Sequence, residues 1–72
     1  MNELKLIKQQ IKNADIRKDD WIHDIIKDCK SHYLRGHLDA TYSRLNGNLS
    51  EESEDFRAEF LQALDGVNER KL

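Results

Sequence analysis

Residues 19–33 read DDWIHDIIKDCKSHY, and this segment carries the strongest structural signal in the chain. At 100° per residue its apolar side chains fall within one narrow arc, whereas most of its charged side chains fall outside that arc. The predicted apolar face consists of Ile22, Ile25, Ile26, Cys29 and Tyr33. The pattern predicts an amphipathic helix over about residues 20–34, with Asp19 or Asp20 as its N-cap.

A second amphipathic helix is predicted at the start of the chain. Apolar residues recur there at steps of three and four, whereas Leu6 falls off that stripe. The stripe consists of Leu4, Ile7, Ile11 and Ala14. This spacing predicts a helix over about residues 2–14.

The region after Tyr33 admits two interpretations. Its apolar residues form a second arc that is rotated from the first. This arc consists of Leu34, Leu38, Thr41, Tyr42 and Leu45. Either the helix breaks near Arg35–Gly36, or one long helix presents its two halves to different neighbours. Because glycine commonly follows a helix end, we favour the break, which predicts a separate helix over about residues 37–46.

The last predicted helix spans about residues 51–65. Ser50 is a natural N-cap, and the acidic residues that follow it stabilise the positive end of a helix dipole. The apolar residues of its face are Phe56, Phe60 and Leu64, and the same face continues to Val67. Residues 67–72 are expected to form a frayed polar tail.

Size and composition indicate a single all-α domain over residues 1–72, with three to four short helices. No segment alternates apolar and polar residues, so β-strands are not expected. A domain of this size buries only about 60% of its unfolded surface, and Cys29, the lone cysteine, cannot form an internal disulfide. We therefore expect a helical hairpin or three-helix unit that completes its bundle by homodimerisation.

The predicted function is protein–protein interaction. Small acidic helical proteins of bacteria and phages include regulators, adaptors and inhibitors, and this class-level analogy predicts a non-enzymatic regulatory module. Its expected partner is a second copy of the chain, another protein, or both. Aromatic residues are enriched at such interfaces. The predicted interface residues are Trp21, Ile22, Ile25, Ile26, Tyr33, Tyr42, Phe56 and Phe60.

The chain is expected to act in the cytoplasm. No apolar run approaches the roughly 20 residues that a membrane-spanning helix needs. Charged residues interrupt the first twelve positions, so no signal peptide is expected. Membrane association is therefore not predicted.

Residues 32–36 read HYLRG. This segment resembles the His-x-Leu-Lys-Gly signature of histidine-phosphotransfer domains, in which the histidine lies on a helix of a four-helix bundle. The resemblance implies that His32 accepts a phosphoryl group, that Arg35 neutralises it, and that Gly36 leaves room for a receiver domain. The following residues, HLDATY, depart from the small residues usual in that family. Phosphorelay activity is therefore an alternative function.

Weak nucleic-acid binding is a second alternative, although nucleic acid is not the favoured partner. Residues 1–18 carry five basic and two acidic side chains, a sparse positive footprint. The basic residues are Lys5, Lys8, Lys12, Arg17 and Lys18.

Catalytic chemistry finds little support in the sequence. Cys29 and His32 have the spacing of part of a zinc site, but no second pair of ligands accompanies them. There is no phosphate-binding loop and no nucleophile elbow. We expect no catalytic residue, metal, cofactor or small-molecule substrate.

Overall fold

The computed structural model of the protein describes residues 2–68 and residue 70. Within those residues it contains four α-helices and no β-strand, which confirms the all-α prediction. The helices are α1 (Glu3–Asn13), α2 (Trp21–Asp28), α3 (His32–Leu45) and α4 (Glu54–Asp65). Helix α1 packs against α2 and α4, and α3 packs against the same two helices, so the four surround one core. No helix in this described part is long and apolar enough to cross a membrane.

Three of the helices begin at a side-chain cap. Asn2, Ser31 and Ser53 each accept a hydrogen bond from the backbone amide three residues later, over distances between 2.9 and 3.2 Å. These oxygens satisfy amides that have no partner within the helix. Helix α4 begins at Glu54, later than predicted, because Ser53 rather than Ser50 is the capping residue.

The helical structure is interrupted between Asp28 and His32, whereas Gly36 lies inside α3. The predicted break near Arg35–Gly36 is therefore wrong, as are the predicted boundaries at residues 34 and 37. The apolar stripe shifts because residues 29–31 are not helical, so the helical periodicity starts again at His32. The break simply lies several residues earlier than the glycine suggested.

Side chains of α1 and α3 stabilise the non-helical connection between α2 and α3. The Glu3 carboxylate accepts hydrogen bonds from the backbone amides of Ser31 (2.7 Å) and Lys30 (3.2 Å). These amides are consequently not available to extend α2. Arg35 donates to the carbonyl oxygen of Cys29, just beyond the end of α2. The connection is thus stabilised by one residue of α1 and one of α3.

All four helices contribute to one hydrophobic core. Phe56 is its aromatic centre, with ring centroids 5.1 Å from Phe60, 6.0 Å from Trp21 and 6.3 Å from Tyr42. Val67 is also buried, so the predicted tail begins later than residue 67; residues 69, 71 and 72 lie outside the described residues. The other buried apolar residues are Leu4, Ile7, Ile11, Ile22, Ile25, Ile26, Cys29, Leu34, Leu38, Leu45 and Leu64.

Gly36 occupies a helical position that has room for a side chain. Apart from its own local backbone, no heavy atom lies within 4 Å of the site that a Cβ would take. We expect Gly36→Ala to raise the free energy of unfolding by about 0.5–1 kcal/mol, because alanine favours the helix. Thermal denaturation followed by circular dichroism measures this change. Gly47→Ala is the contrasting variant, since φ of +87° there strains any other residue; stabilisation by both substitutions would contradict the argument.

Arg57 joins the first turn of α4 to the end of α1. Its guanidinium donates to the carbonyl oxygens of Lys12 (3.0 Å) and Ala14 (2.5 Å). We expect Arg57→Met to lower the free energy of unfolding by about 1 kcal/mol, since methionine keeps the apolar stem and loses both donors. Urea denaturation measures the loss. The exposed Arg17 is the control, and an equal loss in Arg17→Met would exclude a specific role for Arg57.

Candidate functional site

A groove of about 280 Å³ runs between α1 and α2. Its floor is apolar, since Trp21, Ile25 and Ala14 line it. Trp21 is 3% exposed and Ile25 is 8% exposed, so each presents only an edge to the solvent. The remaining lining residues are Gln10, Asn13, Asp15, Lys18, Asp24 and Asp28.

An exposed leucine extends this apolar surface. Leu6 is 46% exposed, and it is the one exposed large hydrophobic side chain among residues 2–68 and 70. Positions 6, 10 and 13 are separated by four and three residues, so Leu6 shares one face of α1 with Gln10 and Asn13. That face forms the α1 wall of the groove. Leu6 therefore lies one helical turn beyond the groove, on the same side of α1.

The two ends of the groove are held by contacts from other elements. At one end Nε1 of Trp21 donates to the carbonyl oxygen of Glu51 over 2.8 Å, which fixes the orientation of the indole ring. Asp20 occupies the predicted N-cap position there, but its φ is 60° and its side chain makes no capping bond. At the other end Glu3 ties the start of α1 to the α2–α3 connection, through the amides of Lys30 and Ser31.

Two ionisable groups at the Glu3 end have perturbed pKa values. The backbone amide of Ser31 holds the pKa of the Glu3 carboxyl below its ordinary value of 4.5. Burial raises the pKa of the Cys29 thiol to about 11, and the Glu3 carboxylate 3.4 Å away acts in the same direction. The thiol is therefore protonated at neutral pH and is not a nucleophile. Both residues serve the packing of α1 on the connection.

The predicted interface residues occupy mostly interior positions. Six of them are buried in the core of the single chain: Trp21, Ile22, Ile25, Ile26, Phe56 and Phe60. Of these six, Trp21 and Ile25 line the groove. Tyr33 and Tyr42 are partly buried on α3, and their rings lie 4.8 Å from that of His37 and 4.7 Å from that of His23. Only part of the predicted set can thus meet a partner while the fold stays closed.

Leu6 and Gln10 were missed by the sequence interpretation. Leu6 had given a signal, because it falls off the apolar stripe of its helix. Gln10 gave none, since a glutamine beside an apolar stripe is ordinary on a helix surface. The sequence placed Asp24 and Asp28 outside the apolar arc of α2, and both are exposed, but they also form one wall of the groove.

Of the three residues predicted for a phosphoacceptor site, only His32 and Gly36 lie together on one exposed face. His32 is the first residue of α3 and is exposed, and Gly36 is exposed on the same face one turn later. Arg35 does not join them, because its guanidinium donates to the carbonyl oxygen of Cys29. Among the described residues, no group of three or more His, Cys, Asp or Glu side chains is arranged to hold a metal ion.

The predicted basic footprint is divided between two places. Lys5, Lys8 and Lys12 lie together on α1, on a face other than the groove wall. Lys8 forms an ion pair of 2.9 Å with Asp65. Lys18 lies in the α1–α2 connection and pairs with an aspartate of α2. The positive charges therefore do not form one continuous surface.

A larger depression, of about 410 Å³, lies where the α1–α2 connection meets the α3–α4 connection. Four carboxylic acids, one lysine and one serine line it together with Ile16. This surface is almost entirely polar, so it gives a partner little apolar area to bury. The α1–α2 groove is the better candidate of these two sites for that reason.

Comparison with known proteins gives no relative for this fold. No family model matches the chain, and neither a curated protein nor a solved structure shows significant similarity to it.

Proposed function

We propose that this protein is a non-enzymatic protein-binding module, of regulatory adaptor or inhibitor type, which binds its partner through the α1–α2 groove. The observation that carries the proposal is the exposed Leu6 beside a groove whose floor contains Trp21 and Ile25. Exposed apolar area next to a preformed apolar groove is typical of a binding surface. The remaining large apolar side chains of the described chain are buried or partly buried.

The arrangement of α1 and α2 suits the binding of a helix from a partner. A groove between two helices accepts the apolar face of a further helix, with anchors spaced by three and four residues. The anchors would contact Leu6 at one end and the edges of Trp21 and Ile25 farther along. The partner is another protein, and a homodimer is the alternative in which a second copy supplies the helix.

A cytoplasmic location belongs to the same proposal. Cys29 is a free thiol. Disulfides are rare in reducing compartments, and a lone unpaired cysteine is compatible with such a compartment.

The proposal is tested by capture of partners with wild-type protein and with Leu6→Asp. A charge at position 6 is expected to abolish stoichiometric capture of a specific partner, because it would have to be desolvated against the partner's apolar anchor. The substitution is on the surface, so circular dichroism should show an intact fold. Gln9→Asp is the matched control, since it adds the same charge to an exposed position of the same helix. Identical capture by the Leu6→Asp variant and wild type would refute the proposal.

A further inference from the structure

The α2 wall of the groove is negatively charged. Asp24 and Asp28 are both exposed and lie one helical turn apart, and Asp15 lies at the end of the groove near the α1–α2 connection. Lys18 pairs with Asp24 at 3.6 Å, with side chains that are 68% and 59% exposed. Such an exposed ion pair is weak. A cation from a partner can therefore displace Lys18 from Asp24.

The charge of this wall favours basic side chains on a ligand. Lysine and arginine side chains donate hydrogen bonds and do not accept them. Placed in the groove, they would neutralise the carboxylates of α2 through charge-assisted hydrogen bonds.

The length of the surface fits a short stretch of helix. Leu6 and Asn13 are seven residues apart on α1, which corresponds to about 10 Å along the helix axis. A partner helix covers that distance in two turns. It would place apolar side chains over Leu6 and over the floor formed by Trp21 and Ile25, with basic side chains on the flank that faces α2.

We infer that the ligand of this groove, given the proposed function, is an amphipathic helix of another protein that carries Lys or Arg beside its apolar stripe. The charge of the α2 wall selects a basic helix over an acidic one of equal hydrophobicity. A second copy of the chain also carries a basic face, formed by Lys5, Lys8 and Lys12. Sedimentation of the wild type and of the neutralised variant distinguishes a second copy from another protein.

Two fluorescein-labelled helical peptides serve as probes. Both carry leucines at the same positions, spaced by three and four residues, and the flanking residues are lysine in one and glutamate in the other. Fluorescence anisotropy with the full chain is expected to show at least tenfold tighter binding of the lysine peptide. That preference should decline as the salt concentration rises, because the contributing charges are exposed.

Paired variants locate the binding. Asp24→Asn combined with Asp28→Asn should weaken binding of the lysine peptide at least fivefold. Glu52→Gln combined with Asp55→Asn is the control, because it removes two exposed carboxylates outside the groove. All four positions are on the surface, and circular dichroism verifies that both double variants are folded. An equal loss in the two double variants would show general charge attraction and would overturn the inference.

Three further outcomes would overturn it. The first is equal affinity of the chain for the two peptides, and the second is absence of binding by either peptide. The third is that the wild-type chain forms oligomers in analytical sedimentation and that these dissociate when Asp24 and Asp28 are neutralised. The last outcome would assign the groove to a second copy. The proposed function itself is judged separately, by whether Leu6→Asp abolishes partner capture. If partner capture required Leu6 but the two peptides bound with equal affinity, the proposed function would stand and this inference would fail.

Discussion

Phe56→Ala is expected to leave much of the chain unfolded at 37 °C. The phenyl ring is 0% exposed and contacts the rings of Trp21, Tyr42 and Phe60. Truncation of a buried phenylalanine costs about 3–5 kcal/mol, through lost burial and the cavity that remains. Whole domains are stable by only about 5–15 kcal/mol, and a chain of this size belongs near the lower limit. Urea denaturation at 25 °C, followed by circular dichroism, measures the loss.

Leu6→Ala is the matched control for Phe56→Ala. It also truncates a large apolar side chain, but Leu6 is on the surface, so we expect a change within about 0.5 kcal/mol. Similar denaturation midpoints for the two variants would mean that Phe56 is not central to the core. The same reasoning applies to Trp21, whose truncation would unfold the chain and could not report on partner binding alone.

Helical periodicity predicted most of the residues that form the core, although not Trp21, which is buried but lies outside the predicted stripe. The stripes of all four helices were recognised, because burial against one shared core requires an apolar face on each helix; in α3 the predicted residues 34, 38, 41 and 45 are buried. In α1, residues 4, 7 and 11 are buried as that pattern predicted. Local spacing carries this information, and it does not depend on how the helices are arranged.

The position of the α2–α3 break depends on a contact that local sequence does not contain. Ser31 and Gly36 are both reasonable signals of a helix boundary, and glycine was the stronger one by propensity. The structure favours Ser31 for two reasons: its side chain caps α3, and Glu3, 28 residues earlier, accepts a hydrogen bond from its amide. A local cap and a carboxylate brought in by tertiary packing together select the boundary, as tertiary context often overrides propensity.

The groove was only partly predictable for a related reason. Trp21 and Ile25 were recognised as contact residues because of their type. The sequence interpretation expected their apolar area to be covered by a second chain, whereas the packing of α1 and α4 against α2 and α3 buries most of it within one chain. What remains accessible depends on the distance between α1 and α2, which periodicity does not specify.

The second large effect is expected for Glu3→Gln. At pH 7 the Glu3 carboxylate accepts two backbone amides and lies 3.4 Å from the Cys29 thiol. A glutamine retains one acceptor oxygen, but its amino group would face an amide that also donates. We expect the free energy of unfolding at pH 7 to fall by about 1.5 kcal/mol, the lower end of the range for hydrogen bonds to a charged group, because Glu3 is only partly buried.

This loss should depend on pH in a defined direction. The pKa of Glu3 in the folded chain is below its ordinary value of 4.5, because the Ser31 amide stabilises the carboxylate. The carboxylate therefore stabilises the fold fully above about pH 4.5, and this stabilisation disappears as pH falls through the lowered pKa. The difference between wild type and Glu3→Gln should be constant from pH 7 to about pH 5 and should shrink at more acidic pH.

Glu52→Gln provides the comparison for this pH profile. Glu52 is exposed, and its substitution removes the same charge from the chain without disturbing the α2–α3 connection. Its stability should follow that of the wild type across the whole range, apart from a small change in overall charge repulsion. If Glu3→Gln and Glu52→Gln gave the same profile, the acid sensitivity would arise from net charge. A loss confined to Glu3→Gln would instead show that this carboxylate of α1 stabilises the fold through its hydrogen bonds to the α2–α3 connection.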